Sequence, residues 1–141
     1  MGCNPFPFLV LSNHYFFAVK ASQFFYGVVL FIAVTILLCL PGSTLPKAAW
    51  LAVIHADKWV HITLFALLCV SFSFPLRKSE ASSIRKKRMI VLVCLAAICY
   101  GVMMEFVQDK WIPNRSFELA DIGADAVGAV LGGMISIKKW S

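Results

Sequence analysis

Four apolar runs divide the chain, at residues 24–40, 59–76, 89–107 and 119–137. Each comes close to the roughly 20 residues an α-helix needs to cross a hydrocarbon core about 30 Å thick. Their ends carry recognisable stops. Pro41-Gly42-Ser43 closes the first run, Pro75 and Arg77 the second, and Lys138, Lys139 and Trp140 follow the fourth. Residues 47–56 follow Pro46 and hold Trp50, Leu51 and Ile54, which reads as a short interfacial helix leading into the second run. Residues 1–23 mix Pro5, Pro7, several phenylalanines and Lys20, and read as an interfacial tail. The pattern predicts an all-α fold: a four-helix transmembrane bundle over 24–141, with a short interfacial helix before the second span.

Composition supports the same class. The chain has 141 residues, of which 60% are hydrophobic and 14% charged. Soluble domains are about 45–50% apolar and about 25% charged. So high an apolar fraction excludes intrinsic disorder, and it leaves too little polar surface for a soluble enzyme. The five cysteines, Cys3, Cys39, Cys69, Cys94 and Cys99, form no CxxC pair, and four of them fall in apolar runs. They read as packing residues rather than disulfide or zinc ligands. Met1-Gly2-Cys3-Asn4-Pro5-Phe6 lacks the Ser or Thr that a myristoylation signal carries at its sixth position.

The net charge of +6 comes from 13 Lys and Arg against 7 Asp and Glu. No aromatic-interleaved basic face accompanies it, so a topology signal is a better reading than nucleic acid. Arg77, Lys78, Arg85, Lys86, Lys87 and Arg88 lie between the second and third runs, and mark that connection as cytoplasmic. Lys20, Lys138 and Lys139 agree with this orientation. Lys47, Lys58, Lys110 and Arg115 fall on the other side. Both termini are then cytoplasmic.

The acids segregate the opposite way. Glu80 alone lies in the basic connection, whereas Asp57, Glu105, Asp109, Glu118, Asp121 and Asp125 gather at the outer ends of runs two, three and four. An Asp at the centre of a span costs about 2.5–3.5 kcal/mol on insertion scales, so these acids should face one another rather than lipid. Helical spacing agrees. Asp57 and His61 are four apart, Glu105 and Gln108 three apart with Gly101 one turn earlier, and Glu118, Asp121, Asp125, Gly128 and Gly132 step by three and four. Gly128 and Gly132 form a G-x-x-x-G, which favours close helix packing. Three polar faces therefore converge near the outer surface, with Lys58 and Arg115 at the rim.

These blocks resemble the VanZ-like family. The resemblance rests on Asp57-Lys58-x-x-His61, Glu105-x-x-Gln108 and Arg115-x-x-Glu118-x-x-Asp121-Ile122-x-Ala124-Asp125-x-x-Gly128-x-x-x-Gly132. It implies a small bacterial protein of the cytoplasmic membrane, with a role in envelope biology, and its first member is associated with low-level teicoplanin resistance. One departure is notable: the family usually carries Asn where this chain has Asp125, and if that position binds a polar group the added charge changes the ligand or the proton balance there.

Two functional classes stay open. One is a non-catalytic protein that recognises an envelope lipid headgroup, an anionic lipid or a lipid-linked cell-wall precursor, and so alters glycopeptide susceptibility. The other is a membrane enzyme acting on an outer-leaflet phospholipid or lipid-linked glycan. His61, Glu105 and Asp121 are then the candidate catalytic residues, with Asp57, Lys58, Gln108, Arg115 and Asp125 as candidate ligand contacts. Carboxylates with one histidine also suit a divalent cation. The bland alternative is a structural lock, in which the acids simply pair with Lys58, Lys110 and Arg115. No nucleophile elbow, P-loop or dinucleotide fingerprint points to a particular chemistry.

Overall fold

A computed structural model describes residues 21–41, 43 and 55–141. Nearly all of the expected tail and most of the expected interfacial helix at 47–56 lie outside the described residues. The described chain is all-α, with four α-helices and two 3-10 segments. A 3-10 turn, Ala21–Phe24, leads into α1, Phe25–Leu38. Helix α2, Ala56–Ser73, tightens into a 3-10 stretch at Phe74–Lys78, where Pro75 lacks the amide an α-helix would use. Helix α3 spans Ser83–Trp111 and helix α4 spans Leu119–Trp140.

The third helix departs from the sequence expectation. It begins at Ser83 rather than at 89, so Arg85–Arg88 form its first turns and not a loop. Lys and Arg are good helix formers, and no Gly or Pro interrupts them. At 29 residues α3 is about 43 Å long, beyond the ~30 Å hydrocarbon core. Its basic start therefore has room to project into the headgroup region.

Three segments are long and apolar enough to cross a membrane: Ala56–Lys78, Ser83–Trp111 and Leu119–Trp140. Ser22–Leu38 is apolar but shorter. Large apolar side chains, among them Phe25, Tyr26, Ile36, Leu92, Leu95 and Met134, face outward from all parts of the bundle. Such a surface suits lipid and not water. The chain is a membrane protein.

Helix α4 packs most extensively on α2 and next on α3, while α1 lies against α2. The stripe of small residues on α4 makes the first contact close. A Cβ at Gly128 would meet the carbonyl oxygen of Ile62, and one at Gly132 the carbonyl oxygen of Ala66. Both obstacles are α2 backbone, which cannot rotate aside as a side chain would. We expect Gly128→Leu to force the two helices apart at a cost of about 3 kcal/mol, the upper part of the usual overpacking range. Thermal unfolding of the purified protein in detergent measures this, and an unchanged midpoint would contradict the packing.

Beneath this contact the core draws on all four helices: Val34 and Leu38, Phe65 and Cys69, Ala97 and Met104, and Ala129. Tyr100 ties α1 to the rest. Its ring stacks on Phe65 at 5.9 Å, and its hydroxyl shares a 2.8 Å hydrogen bond with Thr35.

The two ends of the bundle differ in chemistry. At one end Arg77 lies over the Phe74 ring at 4.3 Å, Phe74 meets Trp140 edge-on, and Ser83 and Ser141 share a hydrogen bond. Arg85–Arg88, Lys138 and Lys139 belong to the helix termini at this end. At the other end the C-terminus of α3 and the N-termini of α2 and α4 bring the acids together.

Candidate functional site

The polar site grows from three helix ends and one loop. Helix α2 supplies Asp57, Lys58 and His61 from its first two turns. Helix α3 supplies Glu105 and Gln108 from its last two turns, and α4 supplies Asp121 and Asp125 from its first two. Near 1.5 Å per residue, His61, Glu105 and Asp125 lie about 7–9 Å inside their helix ends, a common depth. His61, Glu105, Gln108, Asp121 and Asp125 are all buried.

The loop between α3 and α4 is stitched to α3 at successive points. Asn114 takes the left-handed conformation, which Asn tolerates better than most side chains. The Phe117 amide then donates to Asp109 Oδ1 at 3.3 Å, and the Phe117 ring packs on Phe106. The Glu118 amide donates to Glu105 Oε2 at 2.9 Å. Glu118 itself is extended and precedes α4. It therefore does not continue the helical stripe expected from spacing, although its side chain still reaches the site.

Lys58 is the hub of the outer layer. Its ammonium lies 2.9 Å from Asp57 Oδ2, 3.0 Å from Glu118 Oε2 and 2.7 Å from Asp121 Oδ1. An ammonium has three N–H donors, and these three carboxylates match all of them. Lys58 is thus committed to protein carboxylates and is not a cation waiting at the rim for a phosphate. Asp57 and Glu118 are exposed and Asp121 is buried, so the hub runs from the surface into the bundle.

The inner layer is organised around His61. Its Nδ1 lies 2.8 Å from Asp125 Oδ1. With Asp125 ionised the carboxylate only accepts, and Nδ1 is then the donor. The other ring nitrogen, Nε2, lies 4.0 Å from Asp121 Oδ2, beyond hydrogen-bond distance. Donor atoms from His61, Glu105 and Asp121 all fall within 4.8 Å of one another. Asp125 is seated against Gly101, where a Cβ would come 2.5 Å from its Oδ2. Glycine at 101 is what lets the carboxylate reach the imidazole.

The remaining expected contacts lie elsewhere. Gln108 Nε2 donates to the Leu38 carbonyl at 2.8 Å, capping the end of α1 rather than facing the cluster. Arg115 is half-buried in the loop, and its Nε has no hydrogen-bond partner among the described residues. Lys58 is the cation that pairs with the acids, and neither Lys110 nor Arg115 forms an ion pair with them among the described residues. Gly128 and Gly132 serve packing, as set out above. Two participants were not apparent as such from the sequence. The amide of Glu118 depends on a loop conformation that spacing does not encode. The seat at Gly101 depends on which residue of α4 lies opposite.

No family model matches the chain, and neither does any curated protein or solved structure. The functional reading therefore rests on the residues and their geometry.

Proposed function

We propose that this protein is a VanZ-like component of the bacterial cytoplasmic membrane. In this reading α1 is a fourth span, both termini are cytoplasmic, and the site opens on the extracytoplasmic face. There it recognises an envelope lipid headgroup or a lipid-linked cell-wall precursor, and so alters envelope properties or glycopeptide susceptibility. The observation that carries this reading is the placement of a buried His and carboxylate cluster at the end of the bundle opposite the basic termini. Basic residues favour the cytoplasmic side, which leaves the cluster facing out. Ionisable groups within spans generally line functional paths and do not face lipid.

Two measurements test it. Reporter fusions should place Arg85 inside and Arg115 outside, and a cytoplasmic residue 115 would overturn the outward-facing site. Asp121→Asn is nearly isosteric and still accepts from Lys58, so it should accumulate in the membrane like the parent. It should nevertheless lose lipid or precursor binding, read by native mass spectrometry, together with the susceptibility phenotype. Normal binding in that variant would remove the cluster from the function.

A second reading, a membrane enzyme, is favoured by the 2.8 Å His61–Asp125 pair. A histidine oriented by a carboxylate is the usual arrangement of a general base. Lipid extracts separate the two: a product that disappears in the Asp121→Asn strain identifies an enzyme, and unchanged lipids identify a binder.

A further inference from the structure

We propose that His61 Nε2, Glu105 and Asp121 bind one divalent first-row transition-metal cation, such as Zn²⁺ or Mn²⁺. Three features carry this. First, the donor set is one imidazole and two carboxylates from three different helices, and their ligand atoms lie within 4.8 Å of one another. The edge of an occupied site, with bonds near 2.1 Å, is about 3–3.5 Å, so small side-chain rotations close it. Imidazole selects against Mg²⁺ and Ca²⁺, which prefer oxygen alone.

Second, each candidate ligand is held from behind through a different atom. Asp125 fixes His61 through Nδ1, Lys58 holds Asp121 through Oδ1, and the Glu118 amide holds Glu105 through Oε2. A carboxylate, a lysine and a backbone amide in these roles form the outer shell that orients metal ligands and fixes the histidine tautomer. This arrangement presents the lone pair of Nε2 toward Asp121, and Nε2 has no hydrogen-bond partner among the described residues. The His61 side chain is 5% exposed.

Third, charge is unbalanced. Glu105, Asp121 and Asp125 are buried, and Lys58 is the cation paired with this cluster. With these acids ionised and the imidazole neutral, the three buried carboxylates outnumber Lys58 by two, and the exposed Asp57 and Glu118 share that same ammonium, so a divalent cation offsets part of the excess negative charge. The outer trio of Asp57, Glu118 and Asp121 could also be taken for a metal group, but the Lys58 ammonium already lies among those carboxylates.

With three protein ligands the cation keeps at least one coordination position for another molecule, as in sites that act on a ligand and not in closed structural ones. A phosphate or carboxylate oxygen of a headgroup or precursor fits that position. This last step rests on the proposed function, whereas the cation site stands without it.

The test uses the full chain in nanodiscs, stripped with chelator and titrated with Mn²⁺, Zn²⁺ and Mg²⁺. One equivalent of Mn²⁺ or Zn²⁺ should bind, at least tenfold tighter than Mg²⁺. Pulsed EPR of the Mn²⁺ form should show nitrogen coupling from a bound imidazole, a signature the outer trio cannot give. His61→Gln should abolish that coupling and weaken binding about 100-fold. Glu105→Gln retains an acceptor for the Glu118 amide, so it should fold normally and still weaken binding. Substoichiometric binding by folded protein, absence of nitrogen coupling, or parental affinity in both variants would each overturn the site. Cation binding without any headgroup binding would overturn the proposed function and leave the metal site standing.

Discussion

Lys58→Met should be the most damaging single change in the outer layer. It removes the ammonium that lies between Asp57, Glu118 and Asp121, and leaves the buried Asp121 carboxylate without its cation. Breaking a buried ion pair from one side costs about 3–5 kcal/mol. The Lys58 side chain is 23% exposed, and water can partly replace it, so about 3 kcal/mol is expected. Membrane abundance by blot and the unfolding midpoint in detergent should both fall. Adding Asp121→Asn to Lys58→Met removes the orphaned charge, and the double variant should recover most of the loss. Failure to recover would mean that Lys58 stabilises the bundle through packing of its aliphatic stem, and not through the ion pair.

This outcome also separates lock from site. The sequence leaves open whether the acids serve as a structural clasp or as a binding group. The geometry divides them by depth. Asp57, Glu118 and one oxygen of Asp121 form a clasp around Lys58. His61, Glu105 and the other oxygen of Asp121 are turned toward one another below it. Asp121 belongs to both layers, and so Asp121→Asn preserves the clasp through its amide oxygen while removing a charge from the inner layer.

How much of this could be read beforehand follows from what helical periodicity encodes. Spacings of three and four put Asp121, Asp125, Gly128 and Gly132 on one face of α4, and all four are buried there. The same rule placed Asp57 and His61 together on α2. Periodicity does not say where a helix starts when its first turns are charged. The expected third run accordingly began at its first apolar residues, whereas α3 begins at Ser83. Nor does it say which neighbour a side chain selects. Gln108 lies three residues after Glu105, yet it turns to the carbonyl of Leu38, the last residue of α1, which no amide within that helix can reach. Glu118 fits the stripe by number, but an extended backbone carries it outside the helix. These choices are tertiary, and a one-dimensional pattern cannot contain them.

Gly101 gives the sharpest test of the inner layer, because two substitutions disturb the same hydrogen bond in opposite ways. Asp125→Asn leaves a carbonyl oxygen where Oδ1 accepts from His61, so the imidazole keeps its tautomer and direction. It should fold normally, and cation affinity should fall by about tenfold, the small end of outer-shell effects. Gly101→Ala acts from the other side. Its Cβ would lie 2.5 Å from Asp125 Oδ2 and 3.0 Å from Asp125 Cβ, so the carboxylate cannot keep its place unless α3 and α4 separate. Alanine is the better helix former by about 1 kcal/mol, and any loss therefore comes from the contact and not from propensity. Cation affinity should fall about 100-fold, the large end of the same range. Pairing Gly101→Ala with Asp125→Ala removes the 2.5 Å carboxylate clash and leaves only the 3.0 Å Cβ contact. The unfolding midpoint should then return toward that of the parent while cation affinity stays low. Were affinity to recover as well, Asp125 would have no part in orienting His61, and Gly101 would matter only as a packing residue.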